Sequence, residues 1–220
     1  MFGEQFYPTP PELARWIISQ IDYKKIGLQR LRVLDPSAGS GAFLDAYLDM
    51  VVESVEADNF RLTESWEKHK TGVRGWNSYP STYDVEKEVG KSKEKAHAIE
   101  IDGNLQSVLL GKGYKVIDAD FLQHASRNHY NLVLMNPPFN KGAKHLLYAF
   151  ENISFDNLAC VLNAETLRNP HSYEREKLVK IIADNGYRVE YKSAAFSDAD
   201  RKTNVEIAVV FMAKEAVKNI

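Results

Sequence analysis

Short apolar, β-branched runs alternate with longer amphipathic runs along this chain, and that alternation restricts the fold more than any other feature. Strand patterns occupy Leu31–Asp35, Ala96–Ile101, Tyr114–Ile117, Leu132–Met135 and Leu158–Leu162. Helix patterns run from Gly41 to about Val55 and over Leu105–Leu110, Lys144–Phe150 and Tyr173–Asn185. Because strands that alternate with helices pair in parallel and are covered on both faces, the sequence predicts an α/β domain.

The last two predicted strands depart from this scheme. They lie near Tyr187–Ser193 and Val205–Ala213, and only residues 196–204 connect them. Such a connection is too short for a crossover helix, so we expect the two strands to pair antiparallel as a hairpin.

Residues 61–95 also interrupt the alternation, because they are polar and rich in turn-forming residues. They contain eight Lys or Arg, six Asp or Glu, and the aromatic residues Trp66, Trp76, Tyr79 and Tyr83. Two interpretations remain open at this point. The segment is either a solvated surface insertion or a flap that contacts substrate, since basic residues interleaved with aromatic rings suit phosphates and bases.

A glycine-containing loop joins the first predicted strand to the first long helix. It reads Asp-Pro-Ser-Ala-Gly-Ser-Gly-Ala-Phe over residues 35–43. Leu44 takes the third glycine position of the dinucleotide pattern, which argues against a nicotinamide site, and the Lys-Ser/Thr ending of a phosphate loop is missing. Asp35, at the carboxyl end of its strand, instead favours a cationic or hydroxyl-bearing ligand.

Further carboxylates follow the next two strands. Glu100 lies 59 residues after Gly41, or 24 without the 35-residue insertion, close to the spacing of about 20 at which an acid reaches ribose hydroxyls. Asp102 is an alternative that strand alternation does not separate from Glu100. Asp120 could accept a hydrogen bond from an adenine amino group with Phe121 packed on the ring, and Asp118 is its rival.

Asn136-Pro137-Pro138-Phe139 directly follows an apolar strand. Consecutive prolines stiffen the turn and extend the residues before them, so the Asn136 amide and the Pro137 carbonyl are rigidly presented beside an aromatic ring. Two acceptors and a ring match the exocyclic amine of adenine. When these two acceptors take hydrogen bonds from the amine, its nitrogen becomes more tetrahedral and its lone pair becomes available for attack. Preorganised groups then stabilise the transition state, and no strong base is needed.

Composition limits the class of protein. The chain has 220 residues, 44% of them apolar, and a formal net charge of −2, which excludes a strongly basic coat for nucleic acid. The single cysteine, Cys160, lies in an apolar run and is expected to be a buried hydrophobe. With no signal peptide or membrane span in the pattern, we expect a cytoplasmic protein.

Together these motifs resemble the S-adenosylmethionine-dependent N6-adenine DNA methyltransferases with the γ-type motif order. The matching segments are Tyr7–Ala14, Asp35–Phe43, Glu100, Asp120-Phe121, Asn136–Phe139 and the late hairpin of Phe196–Val210. The resemblance implies a Rossmann-like methyltransferase fold: a mostly parallel seven-stranded sheet with an antiparallel last strand and helices on both faces. It also implies one catalytic domain over residues 1–220, with the insertion at about 61–95.

The resemblance assigns roles by position. It implies a catalytic turn of Asn136, Pro137, Pro138 and Phe139, with no metal. It implies that S-adenosylmethionine is bound by Tyr7, Thr9, Asp35, Ala38, Gly39, Ser40, Gly41, Phe43, Glu100, Ile101, Asp120 and Phe121. Thr9-Pro10-Pro11-Glu12 has a second interpretation, a helix capping box with Pro10 at the first helical position.

The expected partner is DNA, with the target adenine flipped out of the stack. A separate specificity subunit is also possible, because no target-recognition domain is evident in the pattern. Lys141, Lys144, His145, Arg201 and Lys202 are either phosphate contacts or ordinary surface charge. Alternative functions are methylation of RNA adenine or of a protein glutamine, and an inactive cofactor-binding subunit of a restriction-modification assembly.

Overall fold

A computed structural model of the chain describes residues 8–23, 26–69, 81–193 and 205–213. Its helices are α1 (Pro11–Ser19), α2 (Ala42–His69), α3 (Val85–Glu94), α4 (Gly103–Gly111), α5 (Gly142–Asn152), α6 (Glu165–Arg168) and α7 (Tyr173–Asp184). Its strands are β1 (Val33–Asp35), β2 (Ala96–Ile99), β3 (Lys115–Asp118), β4 (His129–Met135), β5 (Ser154–Asn163), β6 (Arg188–Lys192) and β7 (Ile207–Ala213). Single 3₁₀ turns occupy Leu28–Arg30 and Phe121–Gln123.

The strands form one seven-stranded sheet in the order β3-β2-β1-β4-β5-β7-β6. Strands β1 to β5 pair in parallel, whereas β7 runs antiparallel to both β5 and β6. The predicted mostly parallel sheet with a terminal antiparallel hairpin is therefore confirmed. The chain reverses its direction across the sheet between β1 and β4, and open α/β sheets bind ligands at such a switch point.

Two apolar cores cover the two faces of the sheet. Alternate residues of β4 point to opposite faces: Leu132 and Leu134 join the core beneath α1 and α2, while Val133 and Met135 join the core beneath α5 and α7. Cys160 belongs to the second core, where burial raises the pKa of its thiol, so its predicted role as a small buried hydrophobe is confirmed.

Helix α2 is longer than its apolar pattern predicts. The pattern ends near Val55, but the helix continues to His69, and α3 then leads directly into β2. The added turns carry mostly exposed side chains, so no apolar stripe marks them in the sequence. Asn59 fixes the base of this extension through the Tyr83 backbone, donating from Nδ2 to the carbonyl at 2.9 Å and accepting from the N–H at 2.6 Å.

The geometry of α2 bears on the two interpretations of residues 61–95. Helix α2 starts at the carboxyl edge of the sheet, and a rise of about 1.5 Å per residue carries Asn59 roughly 25 Å from that start. The described parts of the segment are therefore anchored far from the carboxyl edge, which favours a surface insertion over a substrate flap. Within the described ranges, no helix combines the length and apolar character needed to cross a bilayer.

Candidate active site at the switch point

The carboxyl ends of the parallel strands bring most of the predicted site residues to one edge of the sheet. A cleft at the switch point between β1 and β4 is lined by Pro8, Thr9, Asp35, Ser37, Ala38, Gly39, Ser40, Ala42, Phe43 and Asn136. Seven of these were predicted from the sequence: Thr9, Asp35, Ala38, Gly39, Ser40, Phe43 and Asn136. Outside the described residues lie Tyr7, Phe196, Arg201, Lys202, Thr203 and Asn204.

The loop after β1 is held by hydrogen bonds to its backbone. Asp35 Oδ1 accepts from the Ser37 N–H at 3.1 Å, and Glu100 Oε2 accepts from the Gly39 N–H at 2.7 Å. Lys112 Nζ donates to the Ser40 carbonyl at 2.8 Å and to Asp45 at 2.5 Å. Residues from three separate parts of the chain thus fix the shape of this loop.

Gly41 ends the loop in a conformation that suits glycine. Its φ is +94°, and a Cβ atom placed there would lie 3.0 Å from Leu109 Cδ2 and 3.3 Å from Tyr114 Cε2. A side chain would therefore meet both backbone strain and crowding, so the glycine is required for the loop to turn into α2.

Asp35 is a buried carboxyl group with an unusual proton affinity. It is 1% exposed, and this burial raises the pKa of Asp35 to about 8. The Ser37 N–H opposes that rise, whereas the neighbouring Glu100 adds to it. A group of positive charge in the cleft would favour the ionised form of Asp35.

The carboxylates of Glu100 and Asp102 have different hydrogen-bond partners in the structure. Asp102 is the N-cap of α4, and its Oδ1 accepts from the Asn104 and Leu105 N–H groups. Glu100 is 8% exposed and accepts from the Gly39 and Asp102 N–H groups, which leaves acceptor capacity on each of its oxygens. Ile101 beside it is 74% exposed, so a large apolar surface adjoins this carboxylate.

Hydrogen bonds and ring contacts within the protein involve the predicted site residues that follow β3. Asp120 caps the 3₁₀ turn through the Leu122 N–H and also accepts from Gln123 Nε2, whereas Asp118 pairs with His124 at 2.9 Å. Phe121 is 3% exposed and packs edge-on against Tyr148. The adenine contacts predicted for Asp120 and Phe121 therefore stay predictions.

The Asn-Pro-Pro-Phe turn connects β4 to α5. Pro137 is buried, Pro138 is exposed, and Phe139 is half-buried against the core beneath α1 and α2. The Pro138 carbonyl accepts from the Lys141 N–H at 2.8 Å, which closes the turn just before α5 begins. Consecutive prolines and this closing bond leave the turn little conformational freedom.

Asn136 Nδ2 donates a hydrogen bond to Thr9 Oγ1 at 3.0 Å, across 127 residues of sequence. The capping-box interpretation of Thr9 is wrong, because the N-cap of α1 is Pro10 and no side chain caps this helix. The reason is that a residue before proline is pushed to extended geometry. Pro10 precedes Pro11 and has ψ 139°, so the helix cannot begin before Pro11, and the Thr9 side chain lies outside it.

Two features of the site were not predicted. Ser37 Oγ is buried, and it has no hydrogen-bond partner among the residues that the structure describes. Burial lowers the pKa of His145 to about 4, with a further contribution from Lys141, so its imidazole is neutral near pH 7 and supplies no charge for phosphate. Lys141 and Lys144 are exposed beside the turn.

Neither a protein-family model nor a curated protein sequence matches the chain. Several solved structures, in contrast, are similar to it in fold. A type I restriction-modification methyltransferase subunit from Streptococcus thermophilus is 15% identical with a TM-score of 0.57, over 96% of this chain and 45% of its own. The M protein of the type I restriction enzyme EcoKI is 18% identical with a TM-score of 0.54, over 98% and 45%.

A third similar structure, the 23S rRNA methyltransferase ErmE, is 14% identical with a TM-score of 0.54, over 96% of this chain and 70% of its own. The chain thus spans about half the length of the type I subunits and more of the RNA enzyme. At these identities the likeness is one of fold, and the fold is the Rossmann-like fold of class I methyltransferases.

Proposed function

We propose that this protein transfers a methyl group from S-adenosylmethionine to the N6 amino group of adenine in DNA. The observation that carries the proposal is the position of Asn136. Its amide lies at the carboxyl end of β4, on a double-proline turn, and it lines the same cleft as Asp35 and the glycine loop. A methyl donor seated on that loop would lie beside the acceptor groups of the turn.

The cleft has groups that fit S-adenosylmethionine. The buried Ser37 hydroxyl could bond a polar group of the ligand, and the Asp35 carboxyl suits its positive charge. Glu100 lies beyond the cleft lining and bonds Gly39 of that lining; it could accept from ribose hydroxyls, and the neighbouring exposed Ile101 side chain could cover the adenine ring. When bound, this cofactor supplies a methyl group made electrophilic by its sulfonium sulfur.

The remaining chemistry belongs to the catalytic turn. Asn136 Oδ1 and the Pro137 carbonyl accept the two N–H groups of the target amine, which turns its lone pair toward the methyl carbon. With the donor bound, transfer of its methyl group to this nitrogen would release the sulfur as a neutral thioether and one proton from the nitrogen to solvent. Phe139 stacks on the flipped base and offsets part of the few kcal/mol that unstacking costs.

We propose DNA as the substrate over RNA and protein because Phe139 and the N-terminal segment through Ala14 together resemble the DNA enzymes. Methylation of RNA adenine is the second candidate, since the rRNA enzyme has the same fold at a comparable TM-score. The similar type I proteins are subunits of restriction-modification enzymes. By analogy with these assemblies, we propose that a separate specificity subunit or partner protein assists DNA binding here.

A labelled-donor assay separates these substrates. The protein is incubated with methyl-labelled S-adenosylmethionine and, in parallel, unmethylated duplex DNA, the same sequence as RNA, and a peptide library that contains glutamine. We expect label in DNA and in neither of the others. Label in RNA alone would move the substrate to the second candidate, and cofactor binding without any transfer would support the inactive subunit.

A further inference from the structure

We propose that Thr9 is a positioning residue that sets the orientation of the Asn136 amide, an inference that rests on the proposed function and deepens it. An asparagine amide has two nearly equal orientations with opposite chemistry, because one end donates hydrogen bonds and the other accepts them. Only the orientation with Oδ1 toward the target can accept from an amino group. A partner for the nitrogen end therefore decides whether the turn is competent.

The structure supplies that partner in Thr9. Its Oγ1 accepts from Asn136 Nδ2 at 3.0 Å, which places the nitrogen end toward α1 and the oxygen end on the opposite side of the amide. Thr9 is only 8% exposed, so water competes weakly for this bond. The contact joins the segment that precedes α1 to the turn that follows β4.

Thr9 is also held in a fixed position, so that it can orient the Asn136 amide. The stretch Thr9-Pro10-Pro11 is stiffened by two prolines, and α1 is fixed to the sheet by Leu13, Ala14, Ile17 and Ile18, none more than 7% exposed. Because Pro10 rather than Thr9 is the N-cap of α1, the Thr9 hydroxyl is not used by the helix. Because Pro10 and Pro11 keep Thr9 outside the helix, its hydroxyl can bond Asn136 instead of capping α1.

The test compares Thr9→Val with Thr9→Ser. Valine keeps the shape of threonine but removes the oxygen, whereas serine keeps the oxygen. Thr9→Val should lower kcat roughly 10- to 100-fold, as expected when one hydrogen bond that orients a reacting group is lost. The proposal assigns the Thr9 hydroxyl to Asn136 in place of the direct cofactor contact that the family resemblance implies for Thr9. The Kd of Thr9→Val for S-adenosylhomocysteine, measured by calorimetry, should therefore change less than about threefold, and Thr9→Ser should restore most of the turnover.

A second readout needs no substrate and no turnover. In ¹⁵N NMR spectra of the free protein, the Asn136 side-chain NH₂ should exchange slowly in the parent and in Thr9→Ser, and faster in Thr9→Val. Thr63→Val is the matched control, because Thr63 Oγ1 donates within α2, to the Asn59 carbonyl at 3.0 Å. It should leave both readouts unchanged.

Three outcomes would overturn the proposal. They are an unchanged kcat in Thr9→Val, a loss of cofactor affinity that accounts for the whole effect, and an Asn136 side-chain signal that is insensitive to residue 9. If Thr9→Val does not fold, the proposal is tested by the exchange rate of the Asn136 side-chain NH₂ in the parent and in Thr9→Ser. Slow exchange in both would support it, and fast exchange in the parent would overturn it. The NMR result stands even if the substrate is not DNA, so the two proposals fail separately.

Discussion

The glycine loop and the Asn-Pro-Pro-Phe turn lie across the same cleft, yet they are held in different ways. Hydrogen bonds hold the loop, through Asp35, Glu100 and Lys112, each of which bonds a different backbone group. Covalent stiffness holds the turn, through Pro137 and Pro138. The Asn136 amide of the turn donates a hydrogen bond to Thr9, from a remote part of the chain.

The contrast suggests that the loop chiefly affects cofactor binding and the turn chiefly affects turnover. Hydrogen bonds that hold a loop can be shared with or exchanged for bonds to a ligand, so changes in the loop should chiefly alter binding. A turn fixed by prolines presents its acceptors before the substrate arrives, and preorganised groups of this kind act on the transition state. Changes in the turn should therefore alter kcat and leave cofactor affinity almost intact.

The largest effect is expected at Asn136. Asn136→Ala removes one of the two proposed acceptors for the target amine and should lower turnover roughly 1,000-fold, at the upper end of such losses. Calorimetry with S-adenosylhomocysteine should show a Kd close to that of the parent. Asn152→Ala, at the end of α5, is the control and should retain full turnover. Parental turnover in Asn136→Ala would remove the catalytic assignment.

The next effect is expected at Gly41. Gly41→Ala places a Cβ atom 3.0 Å from Leu109 Cδ2 at a φ of +94°, so backbone strain of about 1–3 kcal/mol should destabilise the loop. We expect a Tm roughly 5 °C lower and cofactor binding weakened about tenfold. Gly90→Ala in α3, where a Cβ atom meets nothing within 4 Å, is the control. It should be neutral or slightly stabilising, and equal effects of the two changes would contradict this account of the loop.

A smaller effect should appear in the pH dependence of stability. The folded pKa of Asp35 is about 8, against about 3.9 when the chain is unfolded. Between these values the folded state keeps a proton that the unfolded state releases, so this group's contribution to stability falls as pH rises from about 4 to 8. Asp35→Asn cannot titrate and should escape this loss.

The measurement is thermal unfolding of the parent and Asp35→Asn at pH 5 and pH 8. The Tm of the variant relative to the parent should rise by at least about 3 °C between these pH values. A difference in Tm that stays constant with pH would mean that Asp35 has an ordinary pKa in the folded protein.

The smallest effect is expected at Lys112. Its bonds to the Ser40 carbonyl and to Asp45 lie at a partly exposed position, where such pairs contribute up to about 1 kcal/mol. Lys112→Met should weaken cofactor binding about two- to fivefold without changing kcat. Lys91→Met removes a comparable exposed pair in α3, with Glu88, and should change neither quantity. A lower kcat in Lys112→Met would show that loop and turn are coupled.

Much of the fold could be predicted because its signals are local. The apolar run Leu132–Met135 and the short link between the last strands indicate a buried strand and a hairpin without reference to distant residues. The distal half of α2 was missed because its described side chains are mostly exposed, and α3 was missed because its only apolar side chains, Val85 and Val89, are too few to mark a periodic stripe. The predicted cofactor-binding and catalytic roles stay predictions.

Parts of the site depend on contacts between distant residues, and sequence patterns do not reveal these. Glu100 bonds Gly39 across 61 residues and Asn136 bonds Thr9 across 127. The mistaken capping box was avoidable, since the effect of Pro11 on Pro10 is local and excludes a helix start at Pro10. Strand alternation did not distinguish Glu100 from Asp102, because the different bonds of the two carboxylates depend on where β2 ends and α4 begins.

The most direct test of the central claim is chemical analysis of the product. Unmethylated genomic DNA is incubated with the protein and S-adenosylmethionine, digested to nucleosides and analysed by mass spectrometry, with Asn136→Ala in parallel. The account predicts N6-methyladenine with the parent protein and only background with the variant. Methylated cytosine in place of methylated adenine, or equal N6-methyladenine from both proteins, would contradict it.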